Sequence, residues 1–246
     1  MLPILNSGSV MTAEKKRFYF IDQFRGWAVL FMIETHVLNA FLNANLRSSL
    51  SYKALDFING LVAPAFLFIA GFAFAIVAVR KWDHYLRLGR PFWQQFRRLL
   101  FVWLVGYLLH VPGFSLSRLV AALRWQQPNV FWGVDVLHCI AFSLLLMLLL
   151  IPLLRRQKIF FIFLALAALA MVLLTRLVYS LDIAALLPAA LAGYIKRVPG
   201  SQFPLFPWLA YVWLGALVSW LWQRAKAEAR EKKYFRDVFF AGGCCW

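Results

Sequence analysis

Residues 61–79 of the chain, LVAPAFLFIAGFAFAIVAV, contain no charged side chain. An α-helix needs about 20 predominantly apolar residues to cross roughly 30 Å of hydrocarbon. Several other stretches of the 246-residue chain approach that length, and 63% of all residues are hydrophobic. The sequence lacks the alternating segments of about 10 residues that mark a transmembrane β-barrel. We therefore predict an all-α fold, a polytopic transmembrane helical bundle.

The apolar stretches predict about six spanning helices, with interfacial helices between them. The predicted spans are residues 23–43, 58–79, 99–110, 134–154, 159–179 and 207–222. The polar stretch 44–57 is expected to be an external loop. The basic, aromatic stretch before the third span is typical of an amphipathic segment at the headgroup level. Residues 180–203 are too short and too proline-interrupted to span, so we expect a re-entrant or interfacial piece.

Charge patterning predicts the orientation and three regions of the chain. The formal net charge of +16 would indicate a nucleic-acid partner in a soluble protein. In a membrane protein, however, Lys and Arg collect in cytoplasmic loops, and most of them here lie in segments on the side of the N-terminus. We expect no nucleic-acid partner and both termini in the cytoplasm. The predicted regions are a cytoplasmic arm (1–17), a membrane domain (18–222) and a charged cytoplasmic segment (223–246).

The first predicted span carries more charged and polar side chains than a membrane helix requires. Asp22 and Arg25 precede its apolar run, and Glu34 and His36 interrupt that run. A charged side chain at mid-bilayer costs about 2.5–3.5 kcal/mol on insertion scales, so it needs a partner, a water-filled cavity or a function. At about 1.5 Å per residue, His36 lies roughly 16 Å along the helix from Arg25. This pattern indicates a site that spans the membrane; alternatively, His36 only bonds a neighbouring helix.

Two further groups are candidates, each with a structural alternative. Arg97 and Arg98 lie at the start of the third span, where arginine forks bind phosphates well, although basic residues are common at cytoplasmic helix ends in any case. Asp135 and His138 are three residues apart at the outer end of the fourth span and can share one helix face. A carboxylate orients an imidazole and raises its basicity; alternatively, Asp135 simply caps the helix.

Familiar catalytic and metal motifs are absent from the sequence. It contains no P-loop, GxSxG, HExxH or zinc-ligand pattern. The three cysteines form neither a disulfide framework nor a metal-ligand spacing, so we predict no metal cofactor. Basic residues precede the first long helix without a small-residue cleavage site after it, so we expect this helix to be retained.

Five motifs follow one another in an order that resembles a known family. They are RFYFIDQFRGWAVLFMIETH (17–36), PAFLFIAGFAFA (64–75), RRLLFVWLVGYLLH (97–110), GVDVLHCIA (133–141) and PLFPWLAYVWLGAL (204–217). Together they resemble the heparan-α-glucosaminide N-acetyltransferase catalytic-domain family of bacterial membrane proteins, which is related to the acyltransferase-3 group. The first two motifs are specific in combination, and the resemblance extends from about residue 17 to residue 216.

The resemblance implies an integral acyltransferase of the bacterial inner membrane. Such proteins take an acyl group from acyl-CoA, usually acetyl-CoA, on the cytoplasmic side and transfer it to a sugar hydroxyl or amine on the far side. His36 would act as general base or as transient acyl carrier. By position, the resemblance implies His36, or else His138, as the catalytic residue and Arg25, Arg97, Arg98 and Asp22 as donor-binding residues. The residue patterns add Glu34 and Asp135 to the catalytic candidates, with Asp135 and His138 on the acceptor side.

Two other functions stay open at this point. One is a transporter or export component in which Glu34 and His36 form a proton relay. The other is a non-catalytic assembly subunit. The lipid bilayer, a carbohydrate acceptor and a second copy of the chain in a homodimer are the expected partners.

Overall fold

The computed structural model describes residues 18–111, 133–181, 187–197 and 201–227. In these ranges the chain forms nine α-helices, a 3-10 helix at Ala44–Ser48 and no β-strand, so the predicted all-α fold is confirmed. The α-helices are α1 (Tyr19–Phe41), α2 (Leu50–Gly60), α3 (Val62–Arg80), α4 (Trp82–Leu86), α5 (Arg90–Leu109), α6 (Val136–Leu154), α7 (Gln157–Ser180), α8 (Ala189–Ile195) and α9 (Leu205–Ala227).

Within the described ranges, four helical segments are long and apolar enough to cross a membrane. They are Leu50–Arg80, which combines α2 and α3, and the helices Val136–Leu154, Gln157–Ser180 and Leu205–Ala227. Helices α1 and α5, with 23 and 20 residues, also have spanning length. Their charged and polar residues place them outside this set by composition. The predicted polytopic helical bundle is thus confirmed. Length and composition support four membrane-spanning segments in the described ranges, compared with the predicted number of about six.

Two predicted boundaries differ from the structure. The expected external loop 44–57 is largely helical, because the Ser49 side chain accepts a hydrogen bond from the Tyr52 backbone N–H and caps α2. Helix α5 begins at Arg90 rather than near residue 99. Gly89 precedes it, and Pro91 stands in its first turn, where proline is favourable.

The crossing of α3 and α9 holds the bundle together. Gly71 of α3 lies against the backbone of Val212, and Gly215 of α9 lies against the backbone of Phe68. A Cβ atom at either glycine would overlap a carbonyl oxygen of the facing helix. Small residues permit this close approach between membrane helices. Helix α9 also packs on α6 and α7, so it is the central helix of the described bundle.

Helices α1 and α5, which carry more charged and polar residues than the four apolar segments, pack against different parts of the bundle. Helix α5 lies along α6, whereas α1 packs against α2 and α3. The buried residues of α1 are only Ile21 and Ala28. Helix α6 instead buries a long row of residues, including His138 near its start. Polar side chains of α6 therefore lie inside the bundle, while most of those on α1 are exposed.

Hydrogen bonds connect residues 201–203 to the start of α6 and to α8. The backbone N–H groups of Gln202 and Phe203 donate to the Val134 carbonyl at 2.9 and 3.0 Å. The Ser201 hydroxyl donates to the Gly193 carbonyl at 2.6 Å. Helix α8 has only seven residues, too few to cross a bilayer. The re-entrant or interfacial placement of this segment stays a prediction.

Candidate functional site

Asp135 and His138 meet at the start of α6, as their spacing predicts. Asp135 is the N-cap residue, and its Oδ1 accepts the backbone N–H of His138 at 3.0 Å. The Nδ1 atom of His138 lies 2.7 Å from the same oxygen. The Asp135 carboxylate therefore both caps α6 and orients the His138 imidazole, the two alternatives that the sequence left open.

The hydrogen on His138 can be assigned from its partner. Burial alone would raise the pKa of the Asp135 carboxyl. The side-chain and backbone hydrogen bonds of His138, together with the imidazoles of His138 and His110, nevertheless lower that pKa below its ordinary value. An ionised carboxylate only accepts hydrogen bonds, so Nδ1 of His138 is the donor. The Asp135 backbone N–H is also 3.4 Å from Nδ1, but a protonated nitrogen cannot accept it. This leaves Nε2 as the basic nitrogen.

The Nε2 atom of His138 is buried and has no hydrogen-bond partner among the described residues. Leaving a buried polar atom without a hydrogen-bond partner costs about 1–3 kcal/mol. Such an atom is therefore a candidate to bind a ligand or to accept a proton. Gly106 of α5 faces this ring: a Cβ atom there would lie 2.7 Å from Cε1 and 2.8 Å from Nε2. Helix α5 can approach the imidazole this closely only with glycine at position 106.

Aromatic side chains enclose the imidazole on its other sides. The Tyr107 ring centroid lies 4.2 Å from that of His138, and the Trp103 and Tyr194 rings each lie 6.5 Å away. Trp103 Nε1 donates to Tyr194 Oη at 2.8 Å, and the Tyr107 and Tyr194 hydroxyls are 2.8 Å apart. Burial, followed by the Tyr107 hydrogen bond, raises the pKa of Tyr194, so its phenol is protonated at neutral pH.

His110, at the end of α5, joins this cluster. Its Nδ1 lies 2.9 Å from the Gly106 carbonyl and 4.0 Å from Asp135 Oδ2. A carbonyl only accepts, so Nδ1 of His110 carries a hydrogen. Ligand atoms of His110, Asp135 and His138 lie within 4.8 Å of one another and could hold a metal ion. Both Nδ1 atoms are hydrogen-bond donors in this arrangement, however, so metal binding through them would require loss of both hydrogen bonds.

A cavity of about 410 Å³ opens between α1, α3, α5 and α6. Its walls are largely apolar, but Arg25 and Arg98 both line it. Leu137 and Val102 also line it, and these are the chain neighbours of His138 and Trp103. The cavity therefore brings two of the predicted donor-binding residues together and extends along α5 and α6 to residues adjacent to the imidazole cluster.

The remaining predicted residues lie elsewhere. Arg97 and Asp22 are exposed, and neither lines this cavity. Glu34 is partly buried, and its Oε2 has no hydrogen-bond partner among the described residues, while His36 is exposed. Within the described ranges, no hydrogen bond or ion pair joins Glu34 or His36 to the Asp135–His138 pair. Their catalytic roles stay predictions.

Sequence reasoning missed Trp103, Gly106, Tyr107 and Tyr194. The first three and His110 follow a spacing of three, four and seven residues, which places them on one helix face. That signal was present in the sequence, but the prediction treated this segment only as a spanning stretch. Tyr194 has no comparable signal, because only the fold brings α8 to α5.

Long apolar helices define an integral membrane protein, and an oriented, buried imidazole beside an arginine-lined cavity is suited to acid–base chemistry on an anionic ligand. The chain matches the family model described as heparan-alpha-glucosaminide N-acetyltransferase, catalytic, over residues 17–243. It therefore belongs to this family of membrane acyltransferases, as the five motifs indicated. No curated protein and no solved structure gives a significant match.

Proposed function

We propose that this protein transfers an acetyl group from cytoplasmic acetyl-CoA to a hydroxyl or amine of a carbohydrate on the far side of the bacterial inner membrane. One observation carries the proposal: a single cavity is lined by two arginines and also by Leu137, which precedes the buried His138 in α6. Family membership supports acyl transfer, and the cavity supports an extended anionic donor. Both termini would then be cytoplasmic, and a homodimer stays a prediction.

In this proposal Arg25 and Arg98 bind the phosphate groups of CoA. Guanidinium groups form paired, charge-assisted hydrogen bonds with phosphate oxygens. Along α5, Arg98 and Tyr107 are separated by roughly 14 Å at about 1.5 Å per residue. The long pantetheine arm of CoA is suited to this distance, and the apolar walls between suit its methylene groups. The thioester would then lie beside the aromatic residues around His138.

His138 serves as the general base in this scheme. Its Nε2 takes the proton from the acceptor hydroxyl or amine while the acceptor atom attacks the thioester carbonyl carbon. As the carbon–sulfur bond breaks, the same proton passes to the thiolate of CoA. Asp135 holds the imidazole in the required tautomer. General acid–base catalysis of this kind contributes about 10²–10⁴-fold. The family resemblance gives this role to His36, which is the alternative base.

Acetyl-CoA binding to the purified protein in nanodiscs tests the donor site. The chain offers a matched pair, because Arg98 lines the cavity and its neighbour Arg97 does not. We expect saturable binding that Arg98→Ala weakens by about tenfold or more, the loss expected for a charged hydrogen bond. Arg97→Ala should weaken it less. Absence of binding to the folded native protein would remove the acyltransferase proposal, and equal effects of the two variants would remove the cavity as the phosphate site.

A proton-coupled transporter is the second candidate, and the Oε2 atom of Glu34 supports it. A partly buried carboxylate oxygen without a partner among the described residues, two positions from a histidine, is typical of a proton pathway. Flux of an envelope saccharide into liposomes that depends on pH, needs no acetyl-CoA and is lost in Glu34→Gln would favour transport. Acetyl transfer that survives this substitution would favour the enzyme.

A further inference from the structure

A second cavity, of about 280 Å³, lies between the end of α3, the start of α7 and the end of α9. Lys158 of α7 and Arg224 of α9 line it, and its described lining contains no Asp or Glu. It shares no lining residue with the cavity that Arg25 and Arg98 line. Two cations that line one cavity repel each other, and a bound anion would offset this repulsion. The cavity is therefore a candidate anion site that the proposed acyl transfer does not use.

The Arg224 side chain is held against a buried pair of aromatic rings. Its Cζ atom lies 5.0 Å from the centroid of the Trp220 ring, and a cation over an indole face is attracted to it. The Trp220 ring stacks on the Phe161 ring, with 4.8 Å between centroids and 14° between planes. Both aromatic residues are buried. The guanidinium is thus restricted before any anion arrives, which lowers the entropy cost of binding.

The backbone that carries Lys158 is fixed by the buried residues that follow it in α7. Phe160 and Phe161 are completely buried in the first turns of the helix. The Phe160 ring packs edge-on against Trp82, with 5.4 Å between centroids, and Trp82 Nε1 donates to the Arg155 carbonyl at 3.1 Å. The start of α7 is therefore attached to α4 through Trp82 and to α9 through the Phe161–Trp220 stack.

Exposed apolar side chains lead away from each cation along its helix. On α7, Ile162 and Leu166 follow Lys158 at intervals of four residues, and both are exposed. On α9, the exposed Leu221 precedes Arg224 by three residues. Residues three or four apart share one face of a helix, and an exposed apolar face of a membrane helix contacts acyl chains. A cationic cavity that continues into two apolar faces matches an amphiphile with an anionic head group better than it matches a free anion.

We propose that this cavity binds the phosphate of an anionic phospholipid such as phosphatidylglycerol. The phosphate oxygens accept hydrogen bonds from Lys158 Nζ and the Arg224 guanidinium, and the acyl chains lie along α7 and α9. Basic pockets between membrane helices on the cytoplasmic side bind anionic head groups, and this is the end of the bundle predicted to be cytoplasmic. The site does not depend on the proposed acyl transfer, because its cavity is separate from the one assigned to acetyl-CoA.

Thermal unfolding of the full chain in detergent, titrated with phosphatidylglycerol or phosphatidylcholine, tests this site without acetyl-CoA. A ligand that binds only the folded state raises the unfolding midpoint as its concentration rises. We expect phosphatidylglycerol to act at lower concentration than phosphatidylcholine, whose phosphate is balanced by a fixed positive charge. Lys158→Gln and Arg224→Gln should each weaken the apparent affinity for phosphatidylglycerol by about fivefold or more, the contribution of one basic residue near an anionic lipid. Each variant is compared with its own lipid-free midpoint.

Arg156→Gln provides the matched control, because Arg156 is exposed two positions before Lys158 and does not line the cavity. It should keep nearly the wild-type affinity, and Lys158→Arg should keep it as well, because the charge is retained. Equal losses in Arg156→Gln and Lys158→Gln would overturn the inference, since charge alone would then explain binding. Equal affinity for the two lipids would also overturn it. So would inorganic phosphate that raises the midpoint as phosphatidylglycerol does and prevents its effect, because the occupant would then be a free anion.

Discussion

Two long helices of this protein, α1 and α6, each carry a candidate catalytic histidine, and they differ in how that histidine is held. His138 is completely buried, bonds an ionised carboxylate through Nδ1 and lies against a glycine backbone. His36 is exposed on α1, a helix that packs against α2 and α3. A base needs a fixed tautomer and a fixed position before it needs a particular pKa. The comparison therefore favours the α5–α6 region as the place of proton transfer.

Asp135→Asn tests the oriented imidazole with the largest expected effect of the variants that keep both histidines. Asparagine is as good an N-cap as aspartate, so the helix and the thermal unfolding midpoint should be preserved. The amide can no longer enforce an Nδ1 hydrogen on His138. We expect kcat for acetyl transfer to fall by about 10²-fold or more. Unchanged kcat in the folded variant would mean that Asp135 is only a helix cap.

Gly106→Ala tests whether the position of the His138 ring matters. The new methyl group would stand 2.7–2.8 Å from ring atoms, whereas ordinary van der Waals contact is 3.4–4 Å, so the imidazole must shift away from α5. Displacement of a catalytic group by 1 Å can cost about 10²-fold, and we expect a loss of about tenfold here. Gly60→Ala is the control, because a Cβ atom there has open space. Equal kinetics of the two variants would contradict a catalytic role for this contact.

Glu34→Gln addresses the other region and should have a small effect on transfer. The carboxylate belongs to α1, and within the described ranges it has no hydrogen bond or ion pair with Asp135 or His138. We expect kcat and the KM for acetyl-CoA to stay close to wild type in the nanodisc assay. A large fall in kcat would return the catalytic role to the α1 residues.

Removal of metal ions by a chelator should change acetyl-transfer activity less than any of these substitutions. The three potential ligands His110, Asp135 and His138 are close enough for a metal ion, but both Nδ1 atoms act as hydrogen-bond donors, to Gly106 and Asp135. We expect activity to survive dialysis against a strong chelator. Loss of activity that added zinc restores would show instead that this cluster is a metal centre.

The helices and the Asp135–His138 pair were predictable because their causes are local. A membrane span must satisfy its own backbone hydrogen bonds, so a long apolar run specifies a helix without reference to the rest of the chain. A spacing of three residues brings two side chains together on any helix. The start of α5 was also marked by Gly89 and Pro91, but the basic residues before residue 99 were interpreted as an interfacial segment.

The rest of the site depends on contacts between distant segments. Tyr194 reaches Trp103 and Tyr107 only because backbone hydrogen bonds from Gln202 and Phe203 fix its segment to Val134. No propensity or spacing in the sequence specifies that pairing. The importance of Gly106 is equally tertiary, because a glycine within a membrane helix is common and only the facing imidazole explains this one.

The most direct test of the central claim compares His138→Gln with His36→Gln in the same acetyl-transfer assay. Both variants remove an imidazole and keep a polar side chain, and thermal unfolding in detergent checks that each is folded. We expect His138→Gln to lose about 10²–10⁴-fold in kcat and His36→Gln to retain most activity, with acetyl-CoA binding unchanged in both. Loss of transfer in His36→Gln with normal transfer in His138→Gln would contradict the claim and place the catalytic base on α1.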